Sequence, residues 1–186
     1  VYLPPFETSK RARKEAKNNY KDLFFQGNVE HKFVYATLLS TDLLPFGHLD
    51  YRMVVLPILP KDDQYELLEP ERARYLGYLY LAGWLEKAEE VWKARRRTKA
   101  ERLTALERLN FWHKLTSQNP QAKYRVIYNT SGTYLTAAVI ENKPVAFEVN
   151  GQQIDGKGFI ADCKTYYFET MNRNEAFYLA AVLNAP

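Results

Sequence analysis

A single cysteine, Cys163, stands in 186 residues, so the chain has no disulfide framework and no cysteine-built metal site. A reducing cytoplasm is the compartment this implies. No run of about 18 apolar residues occurs, which excludes a transmembrane helix, and no membrane partner is expected. Gly151, Gly156 and Gly158 lie between strand-like runs and do not open a helix, so neither nucleotide-binding fingerprint applies. His31, His48 and His113 are scattered without ligand spacing, so no zinc site is expected. None sits in a motif that would activate Cys163 as a nucleophile, and no catalytic residue is assigned. The chain opens Val1-Tyr2-Leu3-Pro4-Pro5, with no initiator Met or signal peptide, which suggests a piece of a longer protein.

What is present is enough apolar material for a real core, 46% of residues, together with 26% charged residues. The net charge of +4 is modest but unevenly spread. Lys10-Arg11-Ala12-Arg13-Lys14 and Lys93-Ala94-Arg95-Arg96-Arg97-Thr98-Lys99 hold a large share of the basic groups. Such clusters suit a polyanion, since each cation near a phosphate releases condensed counterions. They equally suit solvated helix faces.

Along the chain, residues 7–21 read as an exposed helix capped by Thr8 or Ser9, the core of a basic N-terminal segment over residues 1–30. Residues 31–39 and 52–59 read as strands, separated by a loop through Pro45 and Gly47. A long helix starts at Glu69-Pro70 and carries Leu81, Trp84, Leu85, Ala88, Val91 and Trp92 on one stripe. A second helix over 99–115 would complete a helical hairpin inserted at about 70–115, with Arg95-Arg96-Arg97 at a helix end. After Asn119-Pro120 the period becomes that of strands: 123–128, a turn at 129–132, then 134–140, 145–149, 159–161 and 165–170. Asn172 or Asn174 caps a final amphipathic helix. The expected class is α+β, a twisted and mostly antiparallel sheet with packed helices and the helical insertion, spanning residues 31–186.

Several pieces, in this order, resemble one family: Lys114-Leu-Thr-Ser-Gln118, Tyr124-Arg-Val-Ile-Tyr128, Ser131-Gly132, Leu135-Thr-Ala-Ala-Val-Ile140, Phe159-Ile-Ala-Asp162, Thr165-Tyr-Tyr-Phe-Glu-Thr170 and Glu175 to Pro186. They are similar to the C-terminal target-recognition region of N6-adenine DNA methyltransferases of restriction–modification systems. Ala36-Thr-Leu-Leu-Ser-Thr-Asp-Leu-Leu-Pro-Phe46 resembles the segment that opens such a region. The resemblance implies a module that binds duplex DNA and sets sequence specificity for a catalytic domain outside this chain. S-adenosylmethionine would serve that domain, and no cofactor is implied here. The adenine-binding tetrapeptide of such enzymes is not met by Leu3-Pro4-Pro5-Phe6, because Leu accepts no hydrogen bond from an amino group.

DNA contact calls for Arg, Lys, Asn, Gln, Ser or Thr on loops held by a rigid sheet. The candidates are Arg125, Asn129, Thr130, Ser131 and Lys164 on a hairpin and the last strand. Gln152, Gln153 and Lys157 follow in the neighbouring loops, with Arg95, Arg96, Arg97 and Lys99 for phosphates. Tyr134, Tyr166, Tyr167 and Tyr178 read mainly as packing residues. One alternative is a protein–protein interaction module docking through Trp84 and Trp92, on the methyltransferase or a partner subunit. Another is a Mg2+-dependent nuclease built on Glu148 and Asp162-Cys-Lys164.

Overall fold

The computed structural model describes residues 5–96, 102–132 and 134–185. It is α+β: every named strand pair is antiparallel, in several small sheets, and no closed barrel forms among the described residues. No described helix is long and apolar enough to cross a membrane.

The central sheet has three strands. Tyr124–Asn129 lies in the middle, with Ala137–Glu141 on one side and Thr165–Thr170 on the other. Alternation sends Val126 and Ala137 to one face and Ile127, Ala138 and Ile140 to the other, all buried. The first face is covered by the C-terminal helix Arg173–Leu183, through Ala176 and Ala180. Asn172 is its cap, accepting from the backbone N–H of Asn174 at 2.9 Å and of Glu175 at 3.4 Å. At the other end Asn184 hooks the helix to the sheet. Its side-chain amide donates to Ala137 O at 2.9 Å and its oxygen accepts from Ala137 N at 3.0 Å, completing a pairing a further strand would otherwise supply.

The second face packs on the N-terminal half. Ile127, Ala138 and Ile140 share a cluster with Ala36, Leu38 and Phe159. Residues 158–160 run beside Val34–Thr37 as a single bridge rather than the expected strand, tied by Ala36 N to Gly158 O at 2.8 Å and Ile160 N to Ala36 O at 2.9 Å. Val34–Thr37 pairs with Arg52–Val55. The run expected as one strand over 52–59 breaks at Leu56-Pro57, because Pro has no N–H to give the ladder. It resumes as a hairpin, Ile58–Lys61 with Gln64–Leu67, whose second strand the sequence pattern does not announce. A further hairpin, Val145–Val149 with Gln152–Gly156, turns at Asn150-Gly151.

Three helical expectations are shortened. The N-terminal helix is Lys10–Glu15 only, capped by Ser9. Residues 5–30 are nevertheless packed into the body of the fold: Phe6 and Val29 share a core cluster with Phe33, Leu68 and Leu81. The long helix divides into Pro70–Tyr75 and Leu79–Arg95, separated at Gly77, which adopts φ +84°. The second helix, expected over 99–115, is Ala105–Leu109 among the described residues, opened by a capping box in which the Thr104 hydroxyl accepts from Glu107 N and the Glu107 carboxylate accepts from Thr104 N.

Two charged networks hold these parts together. Asp42 is fully buried and accepts from Arg52 Nε at 2.6 Å, Arg52 Nη2 at 2.8 Å, Arg11 and the Leu39 N–H. This pins the N-terminal helix to the Arg52 strand. Arg125 is the second centre, fully buried beneath the central sheet.

Candidate nucleic-acid interface

The structure brings some of the candidate contact residues to one corner. Thr165–Thr170 begins beside the hairpin loop that follows Tyr124–Asn129. Thr130 Oγ1 donates to Lys164 O at 3.1 Å, tying loop to strand start. Lys164 is held from behind, its backbone N–H donating to Asp162 Oδ1 at 2.9 Å. Its ammonium stays exposed, as do the side chains of Thr130 and Ser131.

Asn129 has a different task. Its amide nitrogen donates to Ser131 O and Tyr134 O at 2.8 and 3.1 Å, and its oxygen accepts from Thr136 N at 2.9 Å. With those bonds made, Asn129 is the frame of the loop, and Thr130 and Ser131 are what the loop presents. Gly132 fits close against that frame: a Cβ there would stand 2.8 Å from the Asn129 amide nitrogen, and φ is +142°.

Sequence reasoning missed two cations at this corner. Lys114 donates to Cys163 O at 3.0 Å and lies 5.1 Å from the Tyr166 ring centroid. Arg108, exposed at the end of Ala105–Leu109, lines a cavity of about 400 Å³ together with Thr37, Leu56, Trp92, Cys163 and Lys164. The Cys163 thiol registers this grouping. Burial pushes its pKa up and Asp162 adds to the effect, while Arg108, Lys164 and Lys114 oppose it. The balance leaves a neutral thiol in a cationic setting. Lys114 sits within what reads as the end of a helical run, so periodicity gave it no distinction. The signal that would have found it is Asn110, a helix-stop residue followed by Phe111-Trp112-His113.

Other candidates lie elsewhere or serve the fold. Arg125 is corrected from a DNA contact to a structural ion. Its Nε donates to Glu169 Oε1 at 2.8 Å, Nη1 to Phe159 O at 2.5 Å and Nη2 to Asn119 O at 2.6 Å. A guanidinium with no exposed surface cannot reach a phosphate or a base. Arg95 is also committed, bonding Asp22 Oδ1 at 2.6 Å and Asn19 O at 2.8 Å, so it fastens the Asn18–Tyr20 turn to the long helix. Arg96 follows it on the surface, and Arg97 and Lys99 lie outside the described residues. Gln152, Gln153 and Lys157 are exposed on and after the hairpin that packs beside Val34. Among the described residues no hydrogen bond or ion pair links them to the Lys164 corner.

The alternatives also take structural form. Trp84 packs edge-on to Phe25 at 4.6 Å and closes over Gly27, while Trp92 stacks on Tyr20 and donates to Leu103 O at 2.9 Å. Both indoles are thus turned to the protein's own N-terminal segment. Glu148 lies within a hairpin opposite Gln153, and Asp162 serves the turn before Thr165 through Lys164 N and Thr165 Oγ1. No three His, Cys, Asp or Glu side chains converge as metal ligands would among the described residues. No family model matches the sequence, and no curated protein does.

Proposed function

We propose that this chain is a DNA target-recognition module that gives sequence specificity to a methyltransferase domain outside it. What supports this reading is the Lys164 corner, where the exposed loop carrying Thr130 and Ser131 is tied to Lys164, and Lys114 and Arg108 lie by the adjoining Cys163. Cations would hold the backbone of the duplex while short hydroxyl side chains on a rigid hairpin meet base edges. On this reading methyl transfer and S-adenosylmethionine belong to the catalytic domain, and the parent enzyme is an adenine methyltransferase of a restriction–modification system.

The test is fluorescence anisotropy with random-sequence duplexes, titrated with salt, for the native protein and Lys114→Ala/Lys164→Ala. Native binding weakens steeply with salt. If both lysines meet phosphates, the variant's slope of log K against log salt is shallower by about 1.8, at about 0.9 per contact. Equal slopes would remove the corner from the interface.

A protein partner is favoured by a different observation. The C-terminal helix leaves Phe177, Tyr178 and Val182 exposed on its outer face, with Tyr178 73% accessible. Such a face would be covered in a complex with the catalytic domain or a partner subunit. A stable complex without DNA binding would favour that role alone.

A further inference from the structure

The central sheet treats its two edges differently. Beside Ala137–Glu141 lies the hairpin of Leu43–Leu44 and Gly47–His48. Its Phe46 N donates to Ala137 O at 3.1 Å, and Asn184 engages both the N–H and the C=O of the same residue. The opposite edge, Thr165–Thr170, pairs with Tyr124–Asn129 on one side only. Edge strands are usually blunted by Lys, Pro, a bulge or short length. Thr165-Tyr-Tyr-Phe-Glu-Thr170 is six residues in unbroken register and has none of these.

Which groups this edge offers follows from the ladder. Ala137 turns its N–H and C=O to Asn184, away from the middle strand, so Tyr128 opposite it turns its own toward Tyr166. The backbone groups of Thr165, Tyr167 and Glu169 then point out of the sheet. Thr165 N does so, bonding to Asp162 O at 3.0 Å. Among the described residues no hydrogen bond reaches the outward N–H or C=O of Tyr167 or Glu169. Two positions apart, they carry the donor and acceptor spacing of one more antiparallel strand.

The side chains say which strand that is. Tyr166 and Phe168 share the face of the C-terminal helix, yet the helix rests through Ala176 and Ala180 on Val126 and Ala137 and leaves both rings exposed. The strand's one charge, Glu169, is bound by Arg125. A second copy of this strand, antiparallel about a two-fold axis at Phe168, therefore meets no like-charge repulsion. Tyr167 pairs with Glu169 of the second copy and Glu169 with its Tyr167, each pair exchanging both backbone bonds. Phe168 meets Phe168 of the second copy in the closer, non-hydrogen-bonded kind of pair. Tyr166, with Lys114 Nζ 5.1 Å from its ring centroid, stands across from Thr170 of the second copy, whose hydroxyl donates to Glu175. A cation thus faces a carboxylate on each side of the axis.

We infer that Thr165–Thr170 is a dimer edge, at which a second copy of this chain pairs about Phe168 and continues the three-stranded sheet across the axis. Pairing of this kind goes beyond the DNA-binding reading and does not depend on it.

Sedimentation velocity of the intact chain without DNA, loaded at about 1–100 μM, reads the stoichiometry. The variants are Phe168→Lys and Phe168→Glu, each of which sets like charges across the axis. Phe168 belongs to none of the core clusters, so thermal melting shows both variants folded. The native chain dimerises, and either variant alone does so about tenfold or more weakly, having lost the aromatic pair and gained repulsion. Mixed in equal amounts, the two variants dimerise again, because unlike charges now face each other. A native chain that stays monomeric over this range overturns the inference. So does a dimer that both variants keep within about twofold, and so do variants that dissociate alone and stay apart when mixed. None of these outcomes touches the DNA reading.

Discussion

Replacing Arg125 by methionine tests whether this buried cation is architecture. The side chain has no exposed surface and makes three separate bonds, to Glu169, to Phe159 O and to Asn119 O. Methionine fills much of the space but donates to none of them. Breaking a buried ion pair from one side costs about 3–5 kcal/mol, because the surviving charge stays uncompensated. Two buried carbonyls left without donors add about 1–3 kcal/mol each, discounted because such losses overlap. A destabilisation of about 4–7 kcal/mol is therefore expected, against a total of about 5–15 kcal/mol for a domain. For a chain of 186 residues this lowers the melting temperature by about 10–25 °C. Urea and thermal unfolding followed by circular dichroism read it. Arg125→Met/Glu169→Leu, which removes both charges, should recover at least about 2 kcal/mol of the loss. A single variant costing under about 1 kcal/mol, or a double variant no better than the single, would refute the argument from the uncompensated Glu169 charge.

Two further outcomes follow from other residues. Asp42 titrates below the ordinary carboxylate range: burial alone would raise it, but bonds from Arg52 and the Leu39 N–H and the charges of Arg52 and Arg11 prevail. A carboxyl depressed in the folded state stabilises above its unfolded pKa of about 3.9 and loses that contribution as pH falls through the folded value. The melting-temperature gap between native protein and Asp42→Asn should thus be wide at neutral pH and close in acid; a gap constant with pH would count against it. Trp112→Gly should raise stability by about 0.5–1 kcal/mol, since Trp112 has φ +54°, a left-handed backbone that glycine accepts freely, and its exposed indole contributes little packing. A lower denaturation midpoint would show that the turn is not strained.

The chain's periodicity made the C-terminal part of the fold the most legible. Thr165–Thr170 is where alternation puts it, and the helix after Asn172 begins at its cap, because both signals are local. The N-terminal half resisted for equally physical reasons. Pro57 divides one apolar run into two strands, and Gly77 and Asn110 stop helices that composition alone would continue. At the candidate interface, residue type showed which side chains suit DNA but not which of them the fold consumes. Arg125 and Arg95 are as basic as Lys164, yet one is enclosed and the other fastened to Asp22. Lys114 gained its prominence from a turn whose backbone no helical or strand period describes.

The hook formed by Asn184 bears on the order in which the molecule assembles. It grips Ala137, while the middle strand of the central sheet waits for Thr165–Thr170, and the N-terminal Ala36 and Leu38 wait for Ile127, Ala138 and Phe159. During synthesis, Ala36 and Leu38 therefore emerge before the partners that enclose them, while Phe6, Val29, Phe33, Leu68 and Leu81 already have one another. Ala36 and Leu38 stay uncovered until Ile127, Ala138 and Phe159 arrive. Asn184→Ala would act on this late closure, unlatching the sheet at the strand farthest from Thr165–Thr170.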